Sequence, residues 1–205
     1  MARTKGARSA GFDQRRDALL EALQNRLKQR EGGGASFREL AAAAGVSVAT
    51  LRHYFGGRDA LVAAVLERSL TLGAPYLAHM SMPQGPFEAS VHEAVQFLTA
   101  GFRFGLGDIH TIGFSEGLQH PTLGPAFLAR IIDPSVDALA KRLAAHASLG
   151  EADIGDARQA ALMLAAPVIV AGLHQGELGG AEASPIDLDA FASAHASAFV
   201  RAFRM

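Results

Sequence analysis

The chain has 205 residues, of which 49% are hydrophobic and 19% are charged, and its formal net charge at pH 7 is −1. This composition is typical of a globular protein and excludes a disordered one. The absence of Cys from the sequence excludes a disulfide framework, a thiolate metal site and a thiol nucleophile. No secretion signal is recognisable, and the longest apolar run, residues 160–173, is shorter than the roughly 20 residues that span a bilayer. We therefore expect a soluble cytoplasmic protein that does not associate with membranes.

The charge is divided unevenly along the chain. Residues 1–60 carry 11 basic and 6 acidic side chains, whereas residues 61–205 carry 8 basic and 14 acidic ones. A basic segment in an otherwise acidic chain is the electrostatic pattern expected of a region that binds phosphates. It indicates a nucleic-acid partner for the N-terminal part.

The first twelve residues are rich in Gly, Ala and Ser and include Arg3, Lys5 and Arg8. They are either a solvated end or an arm that reaches along DNA phosphates or into the minor groove. An apolar stripe then predicts a first helix over residues 13–30. Residues 31–34, a Glu and three Gly, form an unusually loose connection to the next helix.

Residues 36–61 predict two short helices joined by a tight turn. Ser36 and Glu39 have the spacing of a capping box, which starts the first helix. Gly45 ends this helix because Gly takes the left-handed conformation of a C-terminal cap, and Ser47 caps the second helix. The buried side chains of the pair are predicted to be Phe37, Leu40, Ala41, Val48, Leu51 and Phe55. The arrangement is a helix-turn-helix, whose second helix lies in the DNA major groove.

The stretch from Phe37 to Leu61 resembles the TetR family of bacterial helix-turn-helix transcriptional regulators. The resemblance lies in A-x-x-A-G-V-S-x-x-T-L-x-x-Y-F, which ends at Phe55, and in the G-x-R-D-A-L that opens the next helix. It implies an all-α chain with two domains. Residues 1–60 form an N-terminal three-helix helix-turn-helix domain, and residues 61–205 form a larger helical ligand-binding and dimerisation bundle.

The rest of the sequence agrees with this fold class, because it shows helical periodicity and no strand pattern. A fourth helix begins at Arg58 and runs to about Leu72, where residues 73–75, Gly-Ala-Pro, kink or end it. Asp133 and Asp156 are the predicted N-terminal caps of two later helices. Further helices are predicted over residues 87–104, 108–119, 121–130, 133–149, 156–174 and 187–203, with loops at 80–86 and 176–185.

The second helix of the motif presents a polar face for DNA. By resemblance, Thr50, Tyr54 and Arg58 hold phosphates, and the alternative for Tyr54 is partial core packing. Arg52 stands where the family often has an aromatic residue; it reads guanine, contacts a phosphate or pairs within its own helix. His53 is the second expected base reader. The predicted DNA contacts are Ser47, Ala49, Thr50, Arg52, His53, Tyr54 and Arg58.

One helix-turn-helix reads only a few base pairs, so we expect a homodimer on a palindromic operator in double-stranded DNA. In the family the last two helices form the dimer interface, and they correspond here to residues 156–174 and 187–203. The run 160–173 is apolar nearly all round, which is expected of a helix packed against a partner subunit or inside its own subunit.

The resemblance also implies a small-molecule effector bound in the second domain. The many Ala, Gly and Phe residues favour an apolar effector with few polar anchors. His110, His120 and His174 show no metal-binding spacing, so we expect no metal and no cofactor. The predicted pocket-lining residues, each of which is alternatively plain core, are Phe97, Phe102, Phe104, Phe114, Gln119, Met163 and His174.

The function implied by the resemblance is a ligand-responsive regulator, a repressor that the effector releases from its operator; an activator role stays open. We find no nucleophile elbow, phosphate-binding loop or zinc-protease motif, and therefore do not expect an enzyme. The alternative from a different class is a non-enzymatic helical protein-interaction or scaffold protein, which keeps the motif but does not read DNA.

Overall fold

The computed structural model describes residues 5–29 and 34–205, with side chains from residue 11 onward. Within these residues the chain is helical and contains no β-strand, only an isolated bridge between Ala152 and Arg204. The all-α prediction is confirmed. The helices are α1 (Lys5–Leu27), α2 (Phe37–Ala43), α3 (Val48–Phe55), α4 (Arg58–Met80), α5 (Phe87–Arg103), α6 (Leu106–Gly117), α7 (Leu123–Phe127), α8 (Asp133–Ser148), α9 (Ala157–Gly176), α10 (Gly180–Ala183) and α11 (Leu188–Phe203), with a π-helical turn at Leu128–Ile132 between α7 and α8.

The two short helices of the motif begin and end as the sequence predicts. Glu39 N donates to Ser36 Oγ over 3.2 Å, and Ser36 N donates to the Glu39 carboxylate over 2.7 Å, which completes the capping box. Gly45 has a φ of +65°, a left-handed value that Gly tolerates better than other residues. Four of the six predicted core residues of the motif are buried, and Phe37 is half-buried. Val48 is 38% exposed, because as the first residue of α3 it lies beside the cap rather than over the core.

Asp156 and Asp187 cap α9 and α11, since each carboxylate accepts two backbone N–H groups at the start of its helix. The predicted cap at Asp133 is wrong. The π-helical turn leads directly into α8, so no helix end is left to cap there. The Asp133 carboxylate instead pairs with Arg158 of α9, 2.5 Å away.

Several helix boundaries differ from the predicted ones. Helix α1 begins at Lys5, eight residues before the predicted start, so residues 5–12 form its first two turns. Helix α4 does not end at residues 73–75; it continues through Pro75 to Met80. The predicted loop 176–185 contains the short helix α10. Arg3 and the loose connection at residues 30–33 lie outside the described residues.

Two compact units divide the chain at places other than residue 60. The first unit contains the chain up to Leu72 together with Ile112–Arg130, and the second contains Gly73–Thr111 and Ile131–Met205. Helices α4 and α6 therefore each contribute to both units. Residues 112–130, which the sequence analysis assigned to the second domain, pack with the helix-turn-helix.

The first unit has a core of aliphatic side chains from its four N-terminal helices. Its buried residues include Leu19, Leu20, Leu23, Leu40, Leu51, Leu61, Val62 and Val65. Helix α1 is also tied to α4 by Arg68, whose Nε donates to the Asp17 carboxylate over 2.7 Å. This hydrogen bond lowers the pKa of Asp17.

The second unit is built from α5, α8, α9 and α11 around a core rich in Ala, Val and Leu. Arg142, 1% exposed, holds the end of α4 inside this unit. Its guanidinium donates to the carbonyls of Met80, His79 and Ser90 and to the Glu93 carboxylate. A buried charge is stable only when it is paired in this way, and here it also satisfies the last carbonyls of a helix.

Helices α4 and α9 are long and apolar enough to cross a membrane, with mean hydropathies of 1.2 and 1.3 over 18-residue windows. Two such helices are a weak signal, because core helices of soluble proteins pass the same test.

Candidate nucleic-acid interface

Helix α3 is positioned by its N-terminal cap. Ser47 Oγ accepts a hydrogen bond from Thr50 N over 3.0 Å and lies 2.8 Å from Thr50 Oγ1. Both hydroxyl groups therefore belong to the cap, and Thr50 is half-buried while Ser47 is exposed. The cap orders the first turn of α3 before any DNA is bound.

The outward face of α3 carries Ala49, Arg52 and His53, all of which are exposed. Within the part of the chain that the structure describes, the Arg52 side chain makes no hydrogen bond or ion pair, so the predicted alternative of a partner within its own helix is not seen. An unpaired guanidinium offers five N–H donors in a planar fork, which matches the O6 and N7 acceptors of guanine or two phosphate oxygens.

Tyr54 is half-buried against α1. The ring of Phe12 stacks on the Tyr54 ring with centroids 4.6 Å apart and an interplanar angle of 20°, and it meets the His53 ring edge-on at 6.2 Å. Arg16, one turn further along α1, lies over the Phe55 ring at 5.3 Å. Sequence reasoning missed Phe12, because it placed the start of α1 at Asp13.

Arg58 lies inside the fold rather than on the outward face. Its guanidinium donates two hydrogen bonds of 2.7 Å to the two oxygens of Glu116, and its Nε donates to the carbonyl of Ala35 over 2.8 Å. Glu116 is 6% exposed. The hydrogen bonds that Arg58 donates to Glu116 raise the pKa of Arg58, although burial acts to lower it. The predicted phosphate contact by Arg58 conflicts with this arrangement, since most of its donors are already used.

Two more polar contacts join residues 112–130 to the start of α4. Thr122 Oγ1 donates to the Asp59 carboxylate over 2.6 Å, and Arg130 Nε donates to the Glu67 carboxylate over 2.7 Å. Together with the Glu116 pair, these contacts hold the first three turns of α4 against residues 112–130. Only the helix start at Arg58 was evident from the sequence, because all three partners lie about 60 residues away.

The second unit contains a narrow crevice between α5, α9 and α11 that has no room for a water molecule. Phe102 is the one predicted pocket residue that lines it, and its ring lies over Gly172, where a Cβ atom would come within 2.5 Å of the ring. The remaining lining residues are Thr99, Val168, Ala171, Leu188 and Phe191.

The other six predicted pocket residues do not line this crevice. Phe104 and Met163 are 88% and 59% exposed, and Gln119 is exposed as well. Phe114 packs on Phe127 in the first unit, with ring centroids 5.2 Å apart. Phe97 and His174 lie elsewhere in the second unit, Phe97 against His79 with ring centroids 5.0 Å apart and His174 with Nδ1 2.7 Å from Gln175 Nε2. Hydrophobicity alone does not separate a pocket lining from a core or a surface residue.

Residues 18–65 match the family model described as bacterial regulatory proteins, tetR family. The N-terminal part of the chain therefore carries a TetR-family DNA-binding domain. The match covers the last ten residues of α1, all of α2 and α3, and the first eight residues of α4. DNA binding and transcription regulation are therefore its general roles.

Several solved structures of similar length share the fold of the whole chain. A protein from Rhodococcus sp. described as a TetR-family transcriptional regulator is 18% identical with a TM-score of 0.71, over 92% of this chain and 98% of that one. The SmeT–triclosan complex is 20% identical with a TM-score of 0.66, over 94% and 92%. A transcriptional regulator from Saccharomonospora viridis in complex with choline is 15% identical with a TM-score of 0.67, over 92% and 96%. No curated protein matches the chain.

Helix α9 keeps an apolar outer face. On α9 the side chains of Leu162, Met163 and Val170 are exposed, although the opposite side of the helix is buried in the core. Exposed apolar side chains in a row on one helix are typical of a surface that another protein covers.

Among residues 5–29 and 34–205, no group of three or more His, Cys, Asp or Glu side chains is arranged to hold a metal ion. His110 and His120, two of the three histidines considered as ligands, have separate surroundings. His110 Nδ1 lies 2.9 Å from the Leu106 carbonyl, and burial lowers the pKa of its ring. His120 Nε2 lies 3.6 Å from the Glu116 carboxylate.

Proposed function

We propose that the chain is a cytoplasmic, dimeric, non-enzymatic repressor that binds a palindromic DNA operator and is released from it by a small apolar molecule. The observation that carries the proposal is the outward face of α3, where the exposed Arg52 and His53 stand on a helix whose start is fixed by the Ser47 cap. A preformed helix with unpaired donors loses little entropy when it enters the major groove.

The exposure of each side chain on α3 indicates which part of the DNA it contacts. Arg52 reads guanine through a bidentate hydrogen bond, and His53 reads a neighbouring base. Thr50 and Tyr54, which are half-buried, contact phosphates and set the depth of α3 in the groove. Ser47 and Ala49 lie at the DNA-facing start of the helix and complete the surface.

The dimer forms through α9 and α11. The exposed side chains of Leu162, Met163 and Val170 provide an apolar surface that a second copy covers, and Ile186, just before α11, extends it. Two copies related by a two-fold axis present two α3 helices at a fixed spacing, which requires a palindromic site.

The effector binds in the second unit, where the crevice lined by Phe102 and Phe191 has an apolar wall with one hydroxyl, that of Thr99. Two proteins of the same fold bind small organic molecules, triclosan and choline. A ligand that enlarges the crevice must move the Phe102 ring away from Gly172. The ligand can weaken DNA binding only by as much as its own affinity differs between the DNA-binding conformation and the released one, typically about 1–3 kcal/mol.

Helix α6 is the route by which this change reaches DNA. It begins at Leu106, and Glu116 near its end holds Arg58, the first residue of α4. A shift of α6 along its axis therefore pulls on the helix that directly follows α3.

The test is selection of binding sites from a random DNA duplex pool by the purified chain at near-physiological salt. We expect an inverted repeat with fixed spacing. Arg52→Ala should weaken binding by about 5- to 150-fold for each half-site, the value of one bidentate base contact, and relax the preference at one position per half-site. Lys141→Ala, which removes one exposed positive charge from α8, is the matched control and should leave the preference unchanged.

An unenriched pool from a folded, dimeric sample would contradict the proposal and favour the protein-interaction alternative. A selected site without inverted symmetry would contradict the dimer alone.

A further inference from the structure

Phe12 is an exposed aromatic residue whose ring contacts are with the DNA-facing helix. It lies eight residues into α1, is 39% exposed, and touches Tyr54 and His53 of α3. The core side chains of α1 begin at Leu19, two turns further on, so Phe12 is not part of the hydrophobic core that holds α1 in place.

The stacked geometry restricts the Tyr54 ring. With the two rings 4.6 Å apart and only 20° from parallel, one face of the phenol is covered and rotation about its side-chain bonds is hindered. The hydroxyl therefore points in one direction before DNA arrives. Tyr54 stays half-buried, and its ring also contacts those of Phe55 at 6.2 Å and His53 at 5.7 Å.

His53 is held by the same residue. The Phe12 ring meets the imidazole edge-on at 6.2 Å, and the Tyr54 ring meets it at 5.7 Å with an interplanar angle of 76°. Phe12, His53 and Tyr54 form a three-ring cluster, and Phe12 is its only member outside α3.

We propose that Phe12 is a positioning residue of the DNA-binding surface, which orients Tyr54 toward a phosphate and His53 toward a base; this rests on the proposed function. Ordering the two side chains in advance removes part of the entropy loss on binding. The inference predicts that loss of the ring weakens DNA binding through Tyr54 and His53 while α3 stays folded.

The first experiment examines the cluster without DNA. The sequence has two Tyr, Tyr54 and Tyr76, so 3-fluorotyrosine labelling gives two ¹⁹F resonances, and Tyr76→Phe assigns them. Phe12→Leu, which keeps an apolar side chain but removes the ring, should shift the Tyr54 resonance and leave that of Tyr76 in place. A Tyr54 resonance that does not move would overturn the stacking.

The second experiment measures the affinity for the operator selected by the wild-type chain. Phe12→Leu should weaken binding by about threefold to tenfold, the range of an aromatic pair. Phe12→Tyr, which keeps the ring, should restore wild-type affinity. Phe104→Leu, which alters an exposed Phe of the second unit, is the matched control and should have no effect.

A double-mutant cycle with Tyr54→Phe separates positioning from general stability. If Phe12 acts through the Tyr54 hydroxyl, Phe12→Leu has a smaller effect in the Tyr54→Phe background. An equal effect in both backgrounds, accompanied by a lower Tm, would show a structural role and overturn the inference. Wild-type affinity in Phe12→Leu would overturn this inference alone, whereas a wild-type chain that selects no DNA would overturn the proposed function and this inference with it.

Discussion

Replacing Glu116 by Gln should destabilise the first unit more than its small chemical change suggests. The substitution keeps the size of the side chain but turns one of the two acceptor oxygens that face Arg58 into an N–H donor group. Both hydrogen bonds are 2.7 Å long, and the Glu116 side chain is 8% exposed against 20% for Arg58. A charge-assisted hydrogen bond contributes about 1.5–3 kcal/mol, and discounting for the partial exposure of Arg58 leaves a loss of about 2 kcal/mol.

The control is an ion pair of the same length in the same unit. Arg130 and Glu67 are also 2.7 Å apart, but their side chains are 32% and 57% exposed. Glu67→Gln should therefore cost no more than about 0.5 kcal/mol. Thermal unfolding followed by circular dichroism should give a Tm about 4–8 °C lower for Glu116→Gln, at roughly 2–4 °C per kcal/mol for a chain of this size. If both variants lower the Tm equally, burial does not strengthen the Arg58 pair and the reasoning fails.

The role of Arg58 in DNA binding has its own measurement. If its guanidinium stays with Glu116 and Ala35 in the complex, Arg58→Met weakens binding without changing the salt dependence. A direct phosphate contact would instead lower the slope of log K against log salt by about 0.9 for each subunit. Binding titrations between 50 and 200 mM salt, a range in which about 6–10 phosphate contacts change affinity by orders of magnitude, distinguish the two.

Two further substitutions examine packing and protonation. Gly113→Ala should destabilise the chain by about 1–3 kcal/mol in urea unfolding, because the added Cβ would come within 2.1 Å of a phenylalanine ring of α7. In the control Gly73→Ala in α4, the added Cβ meets nothing within 4 Å, and this variant should be more stable by up to about 1 kcal/mol. Equal effects of the two substitutions would contradict the close approach. For Glu93, burial raises the pKa, but hydrogen bonds from His79 and Arg142 outweigh it and lower the pKa below 4.5. The stability that the ionised Glu93 contributes is therefore present above pH 4.5 and lost as the pH falls through the lowered pKa. The Tm difference between wild type and Glu93→Gln should shrink on acidification. A Tm difference that does not depend on pH would refute the lowered pKa.

The helix-turn-helix was predictable because its determinants are local. The capping box joins residues three positions apart, and the cap of α3 likewise joins Ser47 to Thr50. Such signals need no knowledge of the rest of the chain. The same applies to the starts of α9 and α11, which the sequence predicted at Asp156 and Asp187, the residues that cap them.

The contacts that set the role of Arg58 were not predictable, because Glu116 lies 58 positions away and its segment had been assigned to the other domain. Helix α4 continuing through Pro75 is a similar case. A Pro inside a helix removes one backbone hydrogen bond, and the sequence does not show that Arg142, 62 positions beyond Met80, holds the end of that helix.

The start of α1 was misjudged for a compositional reason. Its first turns contain Gly6, Ser9 and Gly11, which have low helix propensity and suggest a tail. Contact with α3 outweighs that preference, since Phe12 finds an aromatic partner there. The pocket could not be predicted because its walls come from α5, α9 and α11, and only their packing decides which Phe faces a space.

Helix α3 cannot depend on its own stability for its geometry. It has eight residues, whereas isolated helices shorter than about 12–15 residues are marginal in water. Its position is therefore set by what holds it: the Ser47 cap at its start, its buried side chains Leu51 and Phe55, and α4 directly after its end. The first two are fixed within the DNA-binding segment. The third depends on Glu116, which belongs to a helix that starts in the other unit. In the mechanism that we propose, the first two contacts supply affinity for DNA in both states of the chain, and the third is the one that a ligand changes.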